Sequence, residues 1–139
     1  MNKKGFTLVE LLAVLAVIAI IGAIAIPNVI SLMDNNKKDQ IINDAERLIS
    51  LAKNAVAADI DFRRSSESYK IYPMSVLDSK NSINPDPDGG DYDRDHSYVK
   101  YTKDLGYCVY LLGTKRSVKN DADSCVKEEN LNRSSVKDN

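Results

Sequence analysis

The chain opens with a long apolar segment that two lysines precede. From Phe6 to Met33 the residues are apolar or small with few exceptions, and Glu10 is the one formally charged residue among them. As a helix this run of about 28 residues would extend roughly 42 Å, beyond the roughly 30 Å hydrocarbon core of a bilayer. A secretory signal has a shorter apolar core and a small-residue cleavage site after it. The pattern therefore predicts a membrane-spanning helix, with Lys3 and Lys4 keeping the N-terminus on the cytoplasmic side.

Helical periodicity continues after Met33, although the composition becomes polar. Apolar residues recur there at spacings of three and four, which is typical of an amphipathic helix. We predict a single helix from about Phe6 to about Arg64, ended by Ser65-Ser66, with one apolar stripe in its second half. The stripe consists of Ile41, Ile42, Ala45, Leu48, Ile49, Ala52, Ala55, Val56, Asp59 and Ile60.

Three residues of the apolar segment require a physical explanation. The Glu10 carboxylate costs about 2.5–3.5 kcal/mol on membrane-insertion scales, so we expect a partner that becomes available after processing or assembly. Pro27 removes a backbone donor and Gly22 adds backbone freedom, which together weaken the helix. Either the segment has an ordinary kink, which membrane helices tolerate, or it stretches when it is packed in a polymer.

The distal part of the chain predicts a small sheet. Two β-rich runs, Ser97–Thr102 and Tyr107–Leu112, flank residues 103–106 and indicate a hairpin. An isolated hairpin is marginally stable, so a third strand is expected at Arg116–Lys119 or around Cys125–Lys127. One face of the hairpin would cover the helix stripe. The expected fold class is α+β, a long N-terminal helix packed on a small antiparallel sheet.

The connections are less regular. Tyr69–Tyr72 could be a short extended piece, Pro73 begins a short helix through Asp78, and residues 84–95 read as loop. The polar tail from Glu128 is expected to be loosely ordered. The predicted organisation is a leader of residues 1–5, a transmembrane half-helix of residues 6–33 and an outer domain of residues 34–139.

Composition and charge narrow the classes of function. The formal net charge is −1, so no general attraction to nucleic acid is expected. Lys115, Arg116 and Lys119 form a small basic cluster, but Asp121 and Asp123 follow at once, and a solvated face is the favoured interpretation. With a membrane segment ahead of Cys108 and Cys125, an extracytoplasmic disulfide is favoured over two unpaired thiols.

The acidic loop contains a partial calcium motif, formed by Asn84, Asp86, Asp88 and Asp95. The spacing follows the calcium-loop pattern, with Gly89 at the turn, and oxygen ligands suit Ca²⁺. The sequence departs from that pattern in Asn84, in Asp95 and in two prolines, so a solvated acidic loop is favoured and no firm metal site or cofactor is predicted. His96 has no neighbouring nucleophile pattern to serve, so a catalytic role is not expected.

The stretch Gly5-Phe6-Thr7-Leu8-Val9-Glu10-Leu11-Leu12, with its basic leader, resembles the class III signal of type IV pilins and pseudopilins. In that family a membrane-embedded aspartyl prepilin peptidase cuts after the glycine, and the new N-terminal residue, usually Phe, is methylated. The resemblance implies cleavage between Gly5 and Phe6. It is specific over residues 1–33, where Gly22 and Pro27 also occupy positions of family helix breakers, and it is architectural beyond them.

The resemblance implies a type IV pilin fold and a structural role, not an enzyme. Glu10 would pair with the N-terminal amine of a neighbouring subunit during assembly. The implied partners are copies of the chain and other pilins in a helical filament, the prepilin peptidase, the assembly machinery and the membrane. The chain would first be a single-pass precursor in the bacterial cytoplasmic membrane and then part of a surface filament for adhesion or motility. A pseudopilin or minor pilin of a type II secretion or DNA-uptake (competence) system is the alternative.

Overall fold

The computed structural model describes residues 4–139 of the chain. Residues 1–3, which belong to the predicted leader, lie outside the described residues. The chain divides into two compact units, one up to Asn35 and one from Asn36 to Asn139. Helix α1, Leu8–Ala58, contributes residues to both units and begins two residues later than predicted.

The predicted continuous helix is wrong at Asp59. This residue has φ −83° and ψ 78°, and its side chain caps a separate helix, α2 (Ile60–Arg64), by accepting a hydrogen bond from the Phe62 N–H at 3.1 Å. An aspartate side chain competes with the helix backbone for N–H groups and so favours caps over helix interiors. Asp59 therefore does not belong to the apolar stripe. Ile60 is half exposed, and Phe62 is buried instead of Ile60.

Beyond α2, six antiparallel strands form the sheet in the order β1-β2-β3-β4-β6, and β5 pairs with β3 off this path. The strands are β1 Tyr69–Pro73, β2 Tyr98–Thr102, β3 Gly106–Leu112, β4 Arg116–Val118, β5 Val126–Lys127 and β6 Val136–Asp138. A short helix, α3 Met74–Leu77, follows β1. The predicted α+β fold, a long helix packed on a small antiparallel sheet, is confirmed.

Both candidate third strands exist, because β3 offers its second edge to two partners. Cys108 and Val109 pair with β5, whereas Leu111 and Leu112 pair with β4. The hairpin turn is one residue shorter than predicted, since Gly106 already pairs with Thr102. Gly106 has a φ of +78°, a backbone conformation that glycine adopts without a steric penalty.

The prediction of a loosely ordered tail is wrong. Two 3₁₀ turns, Glu128–Asn130 and Arg133–Ser135, lead into β6, which pairs with all of β4. Val136 is buried in the core. The tail is polar in composition, but backbone pairing, the buried Val136 and the partly buried Leu131 order it.

The core of the second unit lies between the α1 stripe and one face of the sheet. The prediction that one face of the hairpin covers the helix stripe is confirmed, since Val99, Val109 and Leu111 are fully buried in the same core as the stripe. The helix contributes Ile41, Ile42, Ala45, Leu48, Ile49 and Ala52 to this core, and Met74, Ile83, Tyr92, Val118, Val126 and Val136 complete it.

Candidate processing and assembly site

The bond between Gly5 and Phe6 lies in a non-helical segment directly before α1. Phe6 is 91% exposed, and Gly5 is exposed as well. Apart from chain neighbours, no atom of the described residues lies within 4 Å of the position that a Cβ on Gly5 would take, and its φ is not positive. Nothing in residues 4–139 therefore requires a glycine at this position.

Thr7 and Glu10 close the N-terminus of α1 with a reciprocal pair of hydrogen bonds. The Thr7 N–H donates to Glu10 Oε2 at 2.9 Å, and the Glu10 N–H donates to Thr7 Oγ1 at 3.2 Å. The Leu11 N–H donates to the Thr7 carbonyl at 3.2 Å, which begins the helical ladder. This arrangement is a capping box, and it gives the Glu10 carboxylate a partner within its own chain.

Sequence reasoning identified Glu10 but missed Thr7. The signal was present, because a Thr followed three residues later by Glu before an apolar run is the sequence signature of a capping box. The charge of Glu10 in an apolar segment drew attention to a partner from another subunit. The local partner depends on the spacing alone and could have been predicted.

The apolar segment presents its side chains outward on every side. All of its large apolar residues from Phe6 to Met33 are more than half exposed. Soluble monomers rarely expose contiguous apolar patches above a few hundred Å². By length and hydropathy α1 can cross a membrane, and these side chains are available to lipid or to other helices.

Gly22 and Pro27 lie inside α1, and the helix continues through both. Pro27 cannot donate to the carbonyl four residues before it. One residue on, the Asn28 side-chain amide donates to the Ile24 carbonyl at 3.2 Å. Apart from its chain neighbours and the adjacent helix backbone, the atom nearest to the Cβ position of Gly22 is Ile26 Cδ1, at 3.9 Å, so packing within the described residues does not require glycine here. Stretching of this segment in a polymer stays a prediction.

The two central aspartates of the acidic loop bind protein groups. Asp86 Oδ2 accepts hydrogen bonds from the Thr114 N–H at 2.6 Å and from Thr114 Oγ1 at 2.9 Å. Asp88 accepts two hydrogen bonds from Arg116, and these bonds hold the pKa of its carboxyl below the usual range. Both aspartates and Arg116 are therefore held inside the fold, and the predicted solvated loop and solvated basic face are wrong at these three residues.

The outer members of the calcium motif differ from the central pair. Asn84 and Asp95 are exposed. Within residues 4–139, no three His, Cys, Asp or Glu side chains lie close enough to hold a metal ion. Calcium binding by Asn84, Asp86, Asp88 and Asp95 stays a hypothesis, and calcium titration of the protein tests it.

Another buried carboxylate lies on α1 itself. Asp44 is 5% exposed and accepts a hydrogen bond from the Tyr92 hydroxyl at 2.8 Å. Burial raises the pKa of the Asp44 carboxyl, and the Tyr92 hydrogen bond opposes that shift in part. Burial and the neighbouring Asp44 carboxylate raise the pKa of the Tyr92 hydroxyl. Asp44 thus joins the helix to the start of the segment that leads into β2.

The remaining predicted residues have simple surroundings. A disulfide joins Cys108 and Cys125, as predicted, with the two Cα atoms 5.4 Å apart. The His96 ring is exposed, and its Nδ1 lies 2.8 Å from Asp93 Oδ2. Lys119 pairs with Asp123 at 3.2 Å.

Comparison with known protein families gives a match at the N-terminus of the chain. Residues 1–26 match the family model described as the prokaryotic N-terminal methylation motif, so the chain carries this motif, which is characteristic of type IV pilins. No curated protein and no solved structure gives a significant match to the chain. The motif supports a precursor of the type IV pilin or pseudopilin type, and together with the apolar helix near the N-terminus it is consistent with a membrane-anchored precursor.

Proposed function

We propose that this chain, whose first 26 residues carry the N-terminal methylation motif, is a structural subunit of a type IV pilus-like filament. A prepilin peptidase cuts the precursor between Gly5 and Phe6, and Phe6 is methylated. The subunit is stored in the bacterial cytoplasmic membrane with its N-terminus inside, and assembly machinery moves it into a surface filament. One observation carries the proposal, namely that the motif extends into α1 over a helix surface that is apolar and exposed on all sides.

The exposed surface from Phe6 to Met33 needs an environment without water. A bilayer provides one such environment, because a helix satisfies its own backbone polar groups in lipid. A bundle of identical helices provides another, because packing among subunits removes the same side chains from water. One apolar surface can therefore serve as the membrane anchor before assembly and as the filament core after it.

The environment of Gly5 supports processing by an external enzyme. Glycine is usually required where φ is positive or where another chain segment approaches closely. Neither condition holds at Gly5 in the described residues. The fold does not explain why residue 5 is glycine. Recognition by a peptidase that needs a small residue on the N-terminal side of the cut does explain it.

Cleavage would also provide a second partner for Glu10. The cut creates a charged amine on Phe6, and the pairing of that amine with Glu10 of a neighbouring subunit would fix the axial register of the helices. Buried charge pairs are best attested as devices that specify register, because leaving one member unpaired is strongly unfavourable.

The experiment that tests the proposal is the shearing of surface material from cells that express the chain, followed by electron microscopy and mass spectrometry. We expect filaments that contain this chain with methylated Phe6 as its first residue. Gly5→Ala should leave the leader attached, whereas Gly22→Ala, a matched glycine change with room for a Cβ, should be processed normally. A mature N-terminus at any residue other than Phe6 would refute the processing step.

A pseudopilin or minor pilin of a secretion or DNA-uptake system would carry the same N-terminal motif. Abundance separates the two roles, since a major pilin is the main protein of the sheared filaments and a minor subunit is a trace component. Surface adhesion and motility belong to the proposal only if this chain is the main protein.

A further inference from the structure

We propose that Thr7 is a positioning residue for Glu10. In the membrane-stored subunit the Thr7–Glu10 capping box holds the carboxylate on its own chain, and the box opens when Glu10 pairs with the amine of a neighbouring subunit. The opening step rests on the function proposed above, whereas the box itself is a property of the single chain.

The geometry of the box is reciprocal. Thr7 donates through its backbone N–H and accepts through its hydroxyl, and Glu10 does the converse, at 2.9 Å and 3.2 Å. The contact therefore directs the Glu10 side chain back toward the start of the chain. The peptide nitrogen that becomes the amine after cleavage belongs to Phe6, the residue next to Thr7. The box thus keeps the carboxylate close to the site at which its own chain acquires a positive charge.

The bilayer makes this arrangement useful. The first N–H groups of a helix have no partner within the helix, and a polar group without a partner is strongly disfavoured in hydrocarbon. The box satisfies the N–H of Thr7 and the N–H of Glu10, and it gives the carboxylate a donor. Assembly can then exchange this donor for a neighbouring amine, so that the carboxylate passes from one partner to another without being left unpaired.

The chemistry of residue 7 decides whether the box closes fully. Thr7→Val keeps the shape and the β-branch but removes the oxygen that accepts from the Glu10 N–H. Thr7→Ser keeps that oxygen. Loss of an N-cap oxygen shifts the equilibrium of the first turn by about 2- to 30-fold. The two variants therefore form a matched pair that differs in the acceptor.

The test uses the full-length, unassembled chain in phospholipid vesicles, with NMR signals assigned at residues 7 and 10. We expect Thr7→Val to speed hydrogen exchange of the Glu10 amide by about 2- to 30-fold and to shift the ¹³C signal of the Glu10 carboxylate. Thr7→Ser should resemble the wild-type chain in both measurements. The amide of Leu15, further along α1, should not change in either variant.

The carboxylate signal separates positioning from simple helix capping. A residue that only capped the helix would alter the Glu10 amide and leave the carboxylate signal of Glu10 in place. An unchanged carboxylate in Thr7→Val overturns the positioning role, and an unchanged Glu10 amide overturns the box itself.

The opening step has its own measurement in wild-type filaments. If the box opens on assembly, solid-state NMR shows a Glu10 carboxylate signal different from that of the vesicle-bound subunit that has been processed to begin at methylated Phe6, whereas an identical signal overturns the opening step. If the wild-type chain forms no filaments, the proposed function fails and the opening step fails with it. The vesicle experiment then still decides the box, so the two failures are distinguishable.

Discussion

Arg116 holds the Asp88 carboxylate with two hydrogen bonds, from Nε to Oδ2 at 2.7 Å and from Nη2 to Oδ1 at 2.6 Å. The two side chains are 9% and 5% exposed. The pair fastens the acidic loop to strand β4. Lys37 of α1 adds a weaker contact, with its Nζ 3.8 Å from Asp88 Oδ1. The loop is therefore attached to both layers of the second unit.

Removal of the Arg116 guanidinium should destabilise the second unit strongly. Arg116→Met leaves a buried carboxylate without its main partner, and we expect the free energy of unfolding to fall by about 3–5 kcal/mol. Urea denaturation of the full chain in detergent, followed by tyrosine fluorescence, measures this change, because all seven tyrosines lie beyond Asn36. The exposed neighbour Lys115→Met is the control, with an expected change within about 0.5 kcal/mol. Equal effects of the two variants on the free energy of unfolding would contradict the stabilising role of the Asp88–Arg116 pair.

The same pair makes stability depend on pH in the acid range. The Arg116 hydrogen bonds lower the pKa of Asp88 in the folded chain below its value in the unfolded chain, which is about 3.9. The folded state then binds fewer protons than the unfolded state, so this contribution is present above about pH 4 and is lost as the pH falls through the folded pKa. Denaturation midpoints measured from pH 7 to pH 2 should show this loss in the wild-type chain. The profile of Arg116→Met should be flatter, and parallel profiles would contradict the prediction.

Much of the fold was predictable because it depends on local periodicity. The apolar stripe from Ile41 to Val56 repeats at the helix period. The hairpin face that includes Val99 repeats at the strand period, and the main apolar residues of both surfaces are buried. Asp59 shows the limit of this method. It falls at a stripe position, but its side chain can accept a backbone hydrogen bond, and the cap that results ends α1.

The buried polar groups could not be predicted in the same way. Asp88 and Arg116 are 28 residues apart, and Asp44 and Tyr92 are 48 residues apart. Each group is buried only because the fold brings its partner to it, so no local pattern marks either one. The N-terminal segment is the opposite case, since the methylation motif and the Thr7–Glu10 contact depend on fixed spacing and can be recognised from the sequence.

Asp44 should reduce stability at neutral pH through its charge. Burial raises its folded pKa, so the folded state holds a proton more strongly, and the ionised form is disfavoured above that pKa. Asp44→Asn keeps an oxygen for Tyr92 and removes the charge, so we expect the free energy of unfolding to rise at pH 7. The advantage over the wild-type chain should shrink as the pH falls toward 4. Urea denaturation at the two pH values measures the difference, and an advantage that grows in acid would contradict the prediction.

Tyr92→Phe provides the reciprocal change. It leaves the Asp44 carboxylate buried without this donor, and we expect a loss of about 1–3 kcal/mol at pH 7. The loss should be smaller near pH 4, because protonation removes the charge that lacks a partner. An equal loss at both pH values would show that the hydroxyl acts through packing alone.

The disulfide should stabilise the end of the chain. Cys108 and Cys125 are 17 residues apart in sequence, and a closed loop of that size contributes about 3 kcal/mol in the chain-entropy description. Because Cys108 pairs with Lys127 in the sheet, reduction should first expose β5 and the turns after it. We expect the double variant Cys108→Ser, Cys125→Ser to lower the denaturation midpoint, and reductant to lower that of the wild-type chain but not of the variant. Identical midpoints for the wild-type chain with and without reductant would contradict this.

Glu10→Ala should block or slow assembly without preventing insertion into the membrane. The segment from Phe6 to Met33 becomes less polar in the variant, so the subunit should still reach the membrane. In a filament, however, the Phe6 amine would lack its proposed partner, and an unpaired buried charge costs about 3–5 kcal/mol, which is at least about a hundredfold in an equilibrium. Glu46→Ala, an exposed α1 glutamate in the second unit, is the control and should assemble normally. Membrane fractions and sheared filaments are quantified together, and a normal filament yield from Glu10→Ala would remove this role.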